Sequence, residues 1–360
     1  MHIFHYHNTT AKFDPDLGFI VHVWLIRHFL FSLQQTRTDM KFRTEIETCK
    51  DCITLQPERP IVLTGSCFAD NIGGAMRRCL WDAANPLGVL FNPLSIAGAI
   101  ELSLLTGNAS EVFKKTLFEA NGLIHSWLCD SSGSACSVET AVEKFESRSA
   151  VLRRMLDRGR TLCVTFGSAF CYFLAGESDP VANCHKQPST LFSRRRIQAD
   201  EITGRWQPLL EKLRNLFPGL EVIFTVSPVR HVRDGLHENS LSKSTLLLAV
   251  DKICRENKFC YYFPAYEILM DDLRDYRFYA SDLVHPSEQA VEYIWEKFKD
   301  TFIDPQGLEM LKKGEAICRR VAHRPILSTA EQHAEFRDCT RRMAEEFKKA
   351  YPESLDLLME

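Results

Sequence analysis

The chain has 360 residues, of which 45% are hydrophobic and 25% are charged. This composition is typical of a soluble globular protein and excludes a disordered or fibrous one. The formal net charge of -3 gives no support for a nucleic-acid partner or an anionic membrane. Several of the thirteen cysteines lie in apolar runs, as Cys163 and Cys254 do, which is the pattern of small buried thiols in a reducing compartment. We therefore expect a cytoplasmic protein that needs no disulfide and no cofactor.

The N-terminal segment, residues 1–39, contains one apolar stretch, Phe19–Ile26, which is too short for a membrane-spanning helix and is followed by Arg27 and His28. The segment also lacks the basic start and the small-residue cleavage site of a signal peptide. Met40 looks like a natural start. We expect 1–39 to be a non-native or disordered extension and 40–304 to form the main domain.

From Arg59 onward, short apolar segments alternate with amphipathic ones, which predicts a parallel sheet with helices on both faces. The predicted strands are Ile61–Thr64, Val89–Phe91, Leu162–Phe166, Val222–Val226 and Cys260–Phe263. The predicted helices are Ala69–Trp81, Pro93–Leu105, Leu241–Glu256 and Pro286–Phe302, with Asn92 as a cap. The run 107–135 has no regular pattern and stays unassigned.

Residues 305–360 are predicted to form a helical extension. Ser328 and Glu331 have the spacing of a capping box, and apolar residues then recur at steps of three or four, which predicts an amphipathic helix. The apolar stripe consists of Phe336, Cys339, Met343, Phe347 and Tyr351. Packing on the main domain is one interpretation of this stripe, and contact with a second copy in a homo-oligomer is the other.

Two local patterns have both a non-functional and a functional interpretation. Cys49 and Cys52 have metal-ligand spacing, but no second pair or histidine pair accompanies them, so we expect no metal site. Arg194–Arg196 is the one local basic cluster. We interpret this cluster as part of a solvent-exposed surface; binding of an anionic substrate is the alternative.

Polar residues follow four of the predicted strands, at the edge where ligands bind in an open parallel sheet. They are Ser66, Asn92, Ser168 and His231. Because these positions converge at one edge of the sheet, they predict an active site there without depending on any single motif.

Ser66 follows Gly65 at a predicted strand-to-helix turn. A serine at this position lies at the positive end of the helix, where backbone N–H groups can stabilise an oxyanion. Serine is also a common helix cap, which is the structural alternative. The flanking residues do not match the Gly-x-Ser-x-Gly elbow, which disfavours the α/β-hydrolase family.

Asp282 and His285 are three residues apart, just before a predicted helix. A turn can bring the carboxylate beside the imidazole, where it fixes the ring tautomer and stabilises the imidazolium. The alternative is an aspartate that caps a turn and a histidine on the surface. Asn183 and His185, in the polar run 182–188, together with Arg230 and His231 after the fourth strand, are candidate substrate contacts or members of solvated loops.

The run Gly65–Ala69 spells Gly-Ser-Cys-Phe-Ala, the signature of the GSCFA family, which resembles the SGNH/GDSL-type hydrolases. The resemblance extends from about Phe42 to Phe302 and includes further short sequence motifs at 181–186, 225–231, 278–282 and 285–287. It implies a flavodoxin-like three-layer α/β/α sandwich with a five-stranded parallel sheet.

The same resemblance implies that Ser66 is the nucleophile and that Asp282 and His285 are its acid–base pair. SGNH enzymes complete their oxyanion hole with a Gly and an Asn from the middle two of their four sequence motifs. The Gly-x-Asn-Asp sequence of the third motif is absent from this chain. The candidates for the oxyanion hole are therefore Gly167, Asn183 and, second to it, Asn92.

The implied activity is hydrolysis of an acyl ester by a Ser-His-Asp mechanism, as an esterase or deacetylase, with an acylated saccharide as the substrate by analogy. An O-acyltransferase with the same triad and a non-catalytic binding module are the alternatives. A metal-dependent hydrolase is disfavoured because no ligand motif is present. Cys67 is a rival nucleophile in the same turn. The expected partner is a small-molecule or saccharide ester, with no nucleic acid and no membrane.

Overall fold

A computed structural model describes residues 43–48, 53–323 and 329–356. The chain divides into two compact units, Met1–Thr44 and Glu45–Glu360. The predicted extension 1–39 and the cysteines at 49 and 52 lie outside the described residues. The strands and helices considered below all belong to the second unit.

The strands alternate with helices along this unit, as the sequence predicts. In chain order they are β1 (Ile61–Gly65), β2 (Ala83–Ala84), β3 (Leu117–Ala120), β4 (Leu123–Ser126), β5 (Thr161–Phe166), β6 (Phe170–Leu174), β7 (Pro180–Val181), β8 (Phe192–Arg196), β9 (Glu221–Val226) and β10 (Cys260–Phe263). Within the described residues, β1, β2, β5, β9 and β10 form a five-stranded parallel sheet in the order β10-β9-β5-β1-β2. This is the flavodoxin-like order 2-1-3-4-5 when the strands of this sheet are counted along the chain.

Helices cover both faces of the parallel sheet. In chain order the described α-helices of six or more residues are α1 (Cys67–Arg78), α2 (Pro93–Ser103), α3 (Ala109–Lys114), α4 (Val138–Gly159), α5 (Ala199–Leu216), α6 (Leu236–Glu256), α7 (Glu288–Phe302), α8 (Pro305–Ala322) and α9 (Ala330–Ala350). Because strand side chains alternate between faces, Val62 and Val164 pack with α2, α4, α5 and α6, whereas Leu63 and Cys163 pack with α1 and α7. The two buried clusters make the three-layer α/β/α fold that the sequence predicts.

The second strand of the sheet differs from the prediction. It is Ala83–Ala84, which pairs with Ile61 and Val62, whereas Val89 makes only an isolated bridge to Gly65. A turn with Pro86 and a positive φ of 74° at Gly88 separates the two stretches. Proline has no N–H for a ladder, so the chain leaves the sheet and returns beside the end of β1. The strand predicted at Val89–Phe91 is therefore wrong in position.

A small antiparallel sheet, in the order β7-β6-β8, lies between β5 and α5 in the chain and was not predicted. Its strand β8 contains the basic cluster Arg194–Arg196. Each of these arginines forms an ion pair, in order with Asp234, Glu201 and Glu238. These carboxylates neutralise a run of cations that would otherwise repel one another within one strand. The unassigned run 107–135 contains α3 and the antiparallel pair β3 and β4.

The C-terminal helices pack on the same unit. Leu80, Met310, Ile317 and Phe347 form a buried cluster, and Met343 and Tyr351 of the predicted stripe pack against it. Much of the apolar stripe therefore packs against other helices of the same chain, and its contact with a second copy in a homo-oligomer stays a prediction. Thr329 and Gln332 form a capping box at the start of α9. Ser328, the predicted cap, lies outside the described residues. Among the described helices, none combines the length and apolarity needed to cross a bilayer.

Candidate active site

A cavity of about 790 Å³ lies at the carboxyl ends of β1, β5 and β9, within the size range of small-molecule sites. Aromatic side chains of the small antiparallel sheet, Phe170, Tyr172 and Phe192, form part of its wall. The sequence-predicted residues that line it are Ser66, Asn92, Gly167, Ser168, Asn183, Arg230, His231 and His285. The convergence expected at this edge of the sheet is therefore present.

Ser66 is buried, with 1% of its surface exposed, and is the N-cap residue of α1. Its hydroxyl makes no capping hydrogen bond, and Ser66 Oγ has no hydrogen-bond partner among the described residues. Its backbone N–H donates to Thr165 O at 3.1 Å and so ties the turn to β5. A buried hydroxyl without a partner is energetically unfavourable. The capping interpretation therefore does not account for this serine.

The residues around Ser66 explain why the turn has this sequence. Gly65 has a φ of 123°, and a Cβ atom there would lie 2.1 Å from Thr165 O, so only glycine fits between β1 and β5. Phe68 and Ala69, in the first turn of α1, are both 1% exposed and belong to the buried cluster between this helix and the sheet. Strand β1 is thus held close to β5, and Ser66 is placed at the floor of the cavity.

Asp282 uses its two carboxylate oxygens for different tasks. Oδ1 accepts the backbone N–H groups of Val284 at 2.9 Å and His285 at 3.0 Å, whereas Oδ2 accepts His285 Nδ1 at 2.6 Å. The backbone N–H groups of His285 and Val284, and then the imidazole, lower the pKa of Asp282 to about 2. The carboxylate stays ionised at neutral pH and fixes the Nδ1–H tautomer, which leaves Nε2 as an acceptor.

The loop that carries this pair is fastened at both ends. Ala280 N–H donates to His285 O at 2.8 Å, and Ser287 N–H donates to Phe278 O at 2.8 Å. Arg230 N–H, which follows β9, donates to Val284 O at 3.1 Å. These bonds bring His285 into the wall of the cavity that Ser66 lines, and Asp282 lies behind it.

The predicted oxyanion donors have different positions. Gly167 N–H and Ser168 N–H both donate to Phe91 O, at 2.8 and 3.0 Å, so the backbone of Gly167 does not offer the donor that we expected from it. Asn92 caps α2: its Oδ1 accepts Ser95 N–H at 2.8 Å and its Nδ2 donates to Ser95 Oγ at 2.9 Å. Asn183 Oδ1 accepts the backbone N–H of the second residue after it at 2.7 Å. Its Nδ2 has no partner among the described residues.

His185, a further predicted contact, is not brought to the cavity. It is buried beside Phe118 and His125, and its Nε2 donates to Ser126 O at 2.9 Å. Burial lowers the pKa of His185, so the ring is neutral and structural. His231 does line the cavity; its buried Nε2 has no partner among the described residues, and its ring meets Phe170 edge-on at 5.7 Å. Burial, and then Lys243, lower the pKa of His231 to about 4.

Sequence reasoning missed the polar face of α6, formed by Asn239, Ser242 and Lys243, all of which are buried. Lys243 Nζ donates to Gly167 O and to Ser227 O, both at 2.7 Å. Ser242 Oγ accepts Ala169 N–H at 2.8 Å, and Asn239 Oδ1 accepts His231 N–H at 3.0 Å.

These bonds join the loops after β5 and β9 to one helix. A signal was present in the sequence, because Lys243 occupies the same helical stripe as Leu246, Val250 and Ile253. A charged residue on an apolar stripe is a departure from the pattern that merits a functional interpretation.

The fold and this edge together define a flavodoxin-like α/β/α domain that presents a buried serine and an Asp-His pair to one cavity. The family model described as the GSCFA family matches residues 60–298, and the chain belongs to this family. A search of curated proteins gave no match. Among the described residues, no group of three or more His, Cys, Asp or Glu side chains is arranged to hold a metal ion.

Proposed function

We propose that this protein is a serine-dependent acyl-ester hydrolase, an esterase or deacetylase, as its resemblance to SGNH/GDSL-type hydrolases implies. The observation that carries the proposal is that Ser66 Oγ is buried without a partner in the cavity that His285 also lines. Asp282 already holds His285 in the tautomer that a general base needs.

In the proposed reaction, Ser66 Oγ attacks the ester carbonyl carbon while its proton moves to His285 Nε2. The tetrahedral intermediate then breaks its bond to the alcohol oxygen, which leaves with the proton from His285. Water attacks the acyl-serine in the same way: His285 takes a proton from the water and returns it to Ser66 Oγ as the acid departs. Asp282 stays ionised throughout and stabilises the imidazolium.

Two donors are suited to hold the oxyanion. Cys67 N–H, the first of α1, has no backbone acceptor among the described residues, as expected for the first turn of a helix. Asn183 lines the same cavity, and its Nδ2 has no partner in the part of the chain that the structure describes. A backbone donor and a side-chain amide would act together on the developing charge.

The environment favours Ser66 and His285 over their neighbours. Burial raises the pKa of the Cys67 thiol, so little of it is present as the nucleophilic thiolate at neutral pH. His231 has a pKa of about 4, which makes it a weak base at neutral pH, and its Nε2 has no hydrogen-bond partner among the described residues.

The substrate that we propose is an acylated saccharide. Four aromatic side chains line the cavity, Phe91, Phe170, Tyr172 and Phe192. Aromatic rings can pack against a sugar ring while its hydroxyls reach polar side chains. Water as the acceptor gives hydrolysis, and a sugar hydroxyl as the acceptor gives O-acyl transfer by the same triad. A cytoplasmic location is part of the proposal, because the cysteines among the described residues are free thiols.

Labelling with a neutral fluorophosphonate probe, followed by peptide mapping, tests the proposal. We expect label on Ser66 of the wild type and of Cys67→Ala, and none in Ser66→Ala. Turnover of p-nitrophenyl acetate should fall on the order of 10⁴-fold or more in Ser66→Ala. Ser244→Ala, an exposed serine of α6, is the matched control and should behave as the wild type. A folded wild type that neither takes the label nor cleaves acyl esters would contradict the proposal and favour a binding module.

A further inference from the structure

The cavity around Ser66 has a strongly one-sided charge. Its lining contains four cationic side chains, Lys186, Arg194, Arg230 and Arg233, and no Asp or Glu among the described residues. The whole chain has the opposite balance, with 47 acidic and 44 basic residues. The cavity is therefore a local concentration of positive charge on a weakly acidic protein.

Arg194 does not contribute a free cation to this lining. Its Nη1 and Nη2 each donate to Asp234 at 2.7 Å, and its guanidinium lies over the Phe170 ring at 4.1 Å. This bidentate pair is satisfied within the protein. The positive charge that remains for a ligand belongs to the other three residues.

Arg230 is placed beside the proposed catalytic histidine. Its backbone N–H donates to Val284 O, one residue before His285, and its guanidinium lies 5.2 Å from the centre of the Tyr279 ring. Its Nη2 meets Met270 Sδ at 3.7 Å, and it forms no ion pair with a carboxylate among the described residues. Aromatic and sulfur contacts orient this guanidinium without neutralising it.

Arg233 is placed at another part of the wall, where its guanidinium donates to the phenol oxygen of Tyr172 on β6. It too has no carboxylate partner in the described part of the chain. Lys186, exposed and in the left-handed region with a φ of 58°, adds a third charge at the rim. Two oriented guanidinium groups in an aromatic-walled cavity suit a planar or tetrahedral oxyanion.

We propose that the ester attacked by Ser66 carries an anionic group, a carboxylate or a phosphate, that Arg230 and Arg233 bind. This inference rests on the proposed function and narrows its substrate to acidic acyl esters. Arg230 fixes the anion close to His285, and Arg233 holds it from the side of β6. The charge lies either in the acyl part of the ester or in the alcohol part, for example a uronic acid.

Matched substrate pairs separate these two sources. For the acyl part, p-nitrophenyl hemisuccinate is compared with neutral p-nitrophenyl butyrate; for the alcohol part, acetate release from acetylated glucuronic acid is compared with release from acetylated glucose. We expect kcat/KM to favour the charged member of at least one pair. Arg230→Gln or Arg233→Gln should lower kcat/KM for that member about 10- to 100-fold and leave its neutral partner within about threefold.

Arg255→Gln is the matched control, since Arg255 is exposed on α6 and pairs with Asp251 outside the cavity. A second readout needs no turnover. Succinate or inorganic phosphate should slow fluorophosphonate labelling of Ser66 in the wild type and in Arg255→Gln, but not in Arg230→Gln. Butyramide should have no such effect.

The two proposals fail in different ways. If Ser66 takes no label and no ester is cleaved, the hydrolase proposal fails, and this inference fails with it. If Ser66 is labelled but neutral esters are preferred, or neither anion protects it, only the anionic substrate is excluded. Equal losses for charged and neutral esters in Arg230→Gln would likewise assign Arg230 a structural role.

Discussion

Gly65→Ala is the sharpest test of how the Gly-Ser-Cys-Phe-Ala turn works. The new Cβ would lie 2.1 Å from Thr165 O, the atom that accepts Ser66 N–H at 3.1 Å. The obstacle is backbone and cannot rotate away, so β1 and β5 must separate where Ser66 is held. The substitution therefore tests stability and the position of Ser66 together.

Two costs combine in this variant. A φ of 123° is strained for alanine by about 1–3 kcal/mol, and forcing a methyl group into packed backbone costs about 1–3 kcal/mol more. The expected loss of about 2–6 kcal/mol is a large share of the 5–15 kcal/mol, roughly, that stabilises a typical domain. Gly204→Ala makes the same chemical change in the exposed middle of α5, where no atom outside the adjoining helix backbone and the two neighbouring residues lies within 4 Å of the new Cβ. It should raise stability by about 0.5–1 kcal/mol.

Urea denaturation under reducing conditions measures both free energies of unfolding. Fluorophosphonate labelling of the folded fraction then reports whether Ser66 keeps its position. We expect slow labelling in Gly65→Ala and a wild-type rate in Gly204→Ala. A Gly65→Ala protein within about 0.5 kcal/mol of the wild type, labelled at the wild-type rate, would refute the argument from the β1–β5 contact.

Two further predictions concern the charged groups around the site. In Asp282→Asn the amide Nδ2 would face His285 Nδ1 and force the other tautomer, so kcat should fall about 10⁴-fold with little loss of stability. The control is Asp275→Asn, because Asp275 caps a turn without a histidine partner. Wild-type turnover in Asp282→Asn would contradict the role proposed for Asp282. Burial lowers the pKa of Lys243 from 10.5 to about 7. Between pH 7 and pH 10.5, roughly, the Lys243 side chain is protonated in the unfolded chain and neutral in the folded one. The free energy of unfolding should therefore rise with pH across this range. Urea midpoints at several pH values should show this rise in the wild type and in Lys258→Met but a flatter profile in Lys243→Met; equal slopes in all three proteins would contradict it.

The features that the sequence predicts well are local or periodic. Asp282 and His285 are close in the chain, so one turn is enough to join them. Strands β5, β9 and β10 are apolar runs, because a parallel sheet covered on both faces buries both sides of each strand. The five-stranded sheet and the α/β/α layers are confirmed for these reasons.

The features that were missed depend on distant partners. Strand β8 carries three arginines, and only ion pairs made after folding make it suitable for the wall of a cavity. Gly167 is in the predicted place, but whether its N–H is free depends on Phe91 O, which no local pattern reveals. The same is true of His185, whose ring turns away from the site toward Ser126 O.

The polar face of α6 has a mechanical consequence for the cavity floor. Asn239, Ser242 and Lys243 lie within about one helical turn of each other and hold backbone groups of two loops. A movement of α6 would strain these bonds together, so the helix couples the loops after β5 and β9 mechanically. The same helix thereby fixes the relative positions of Gly167, Ser227 and His231.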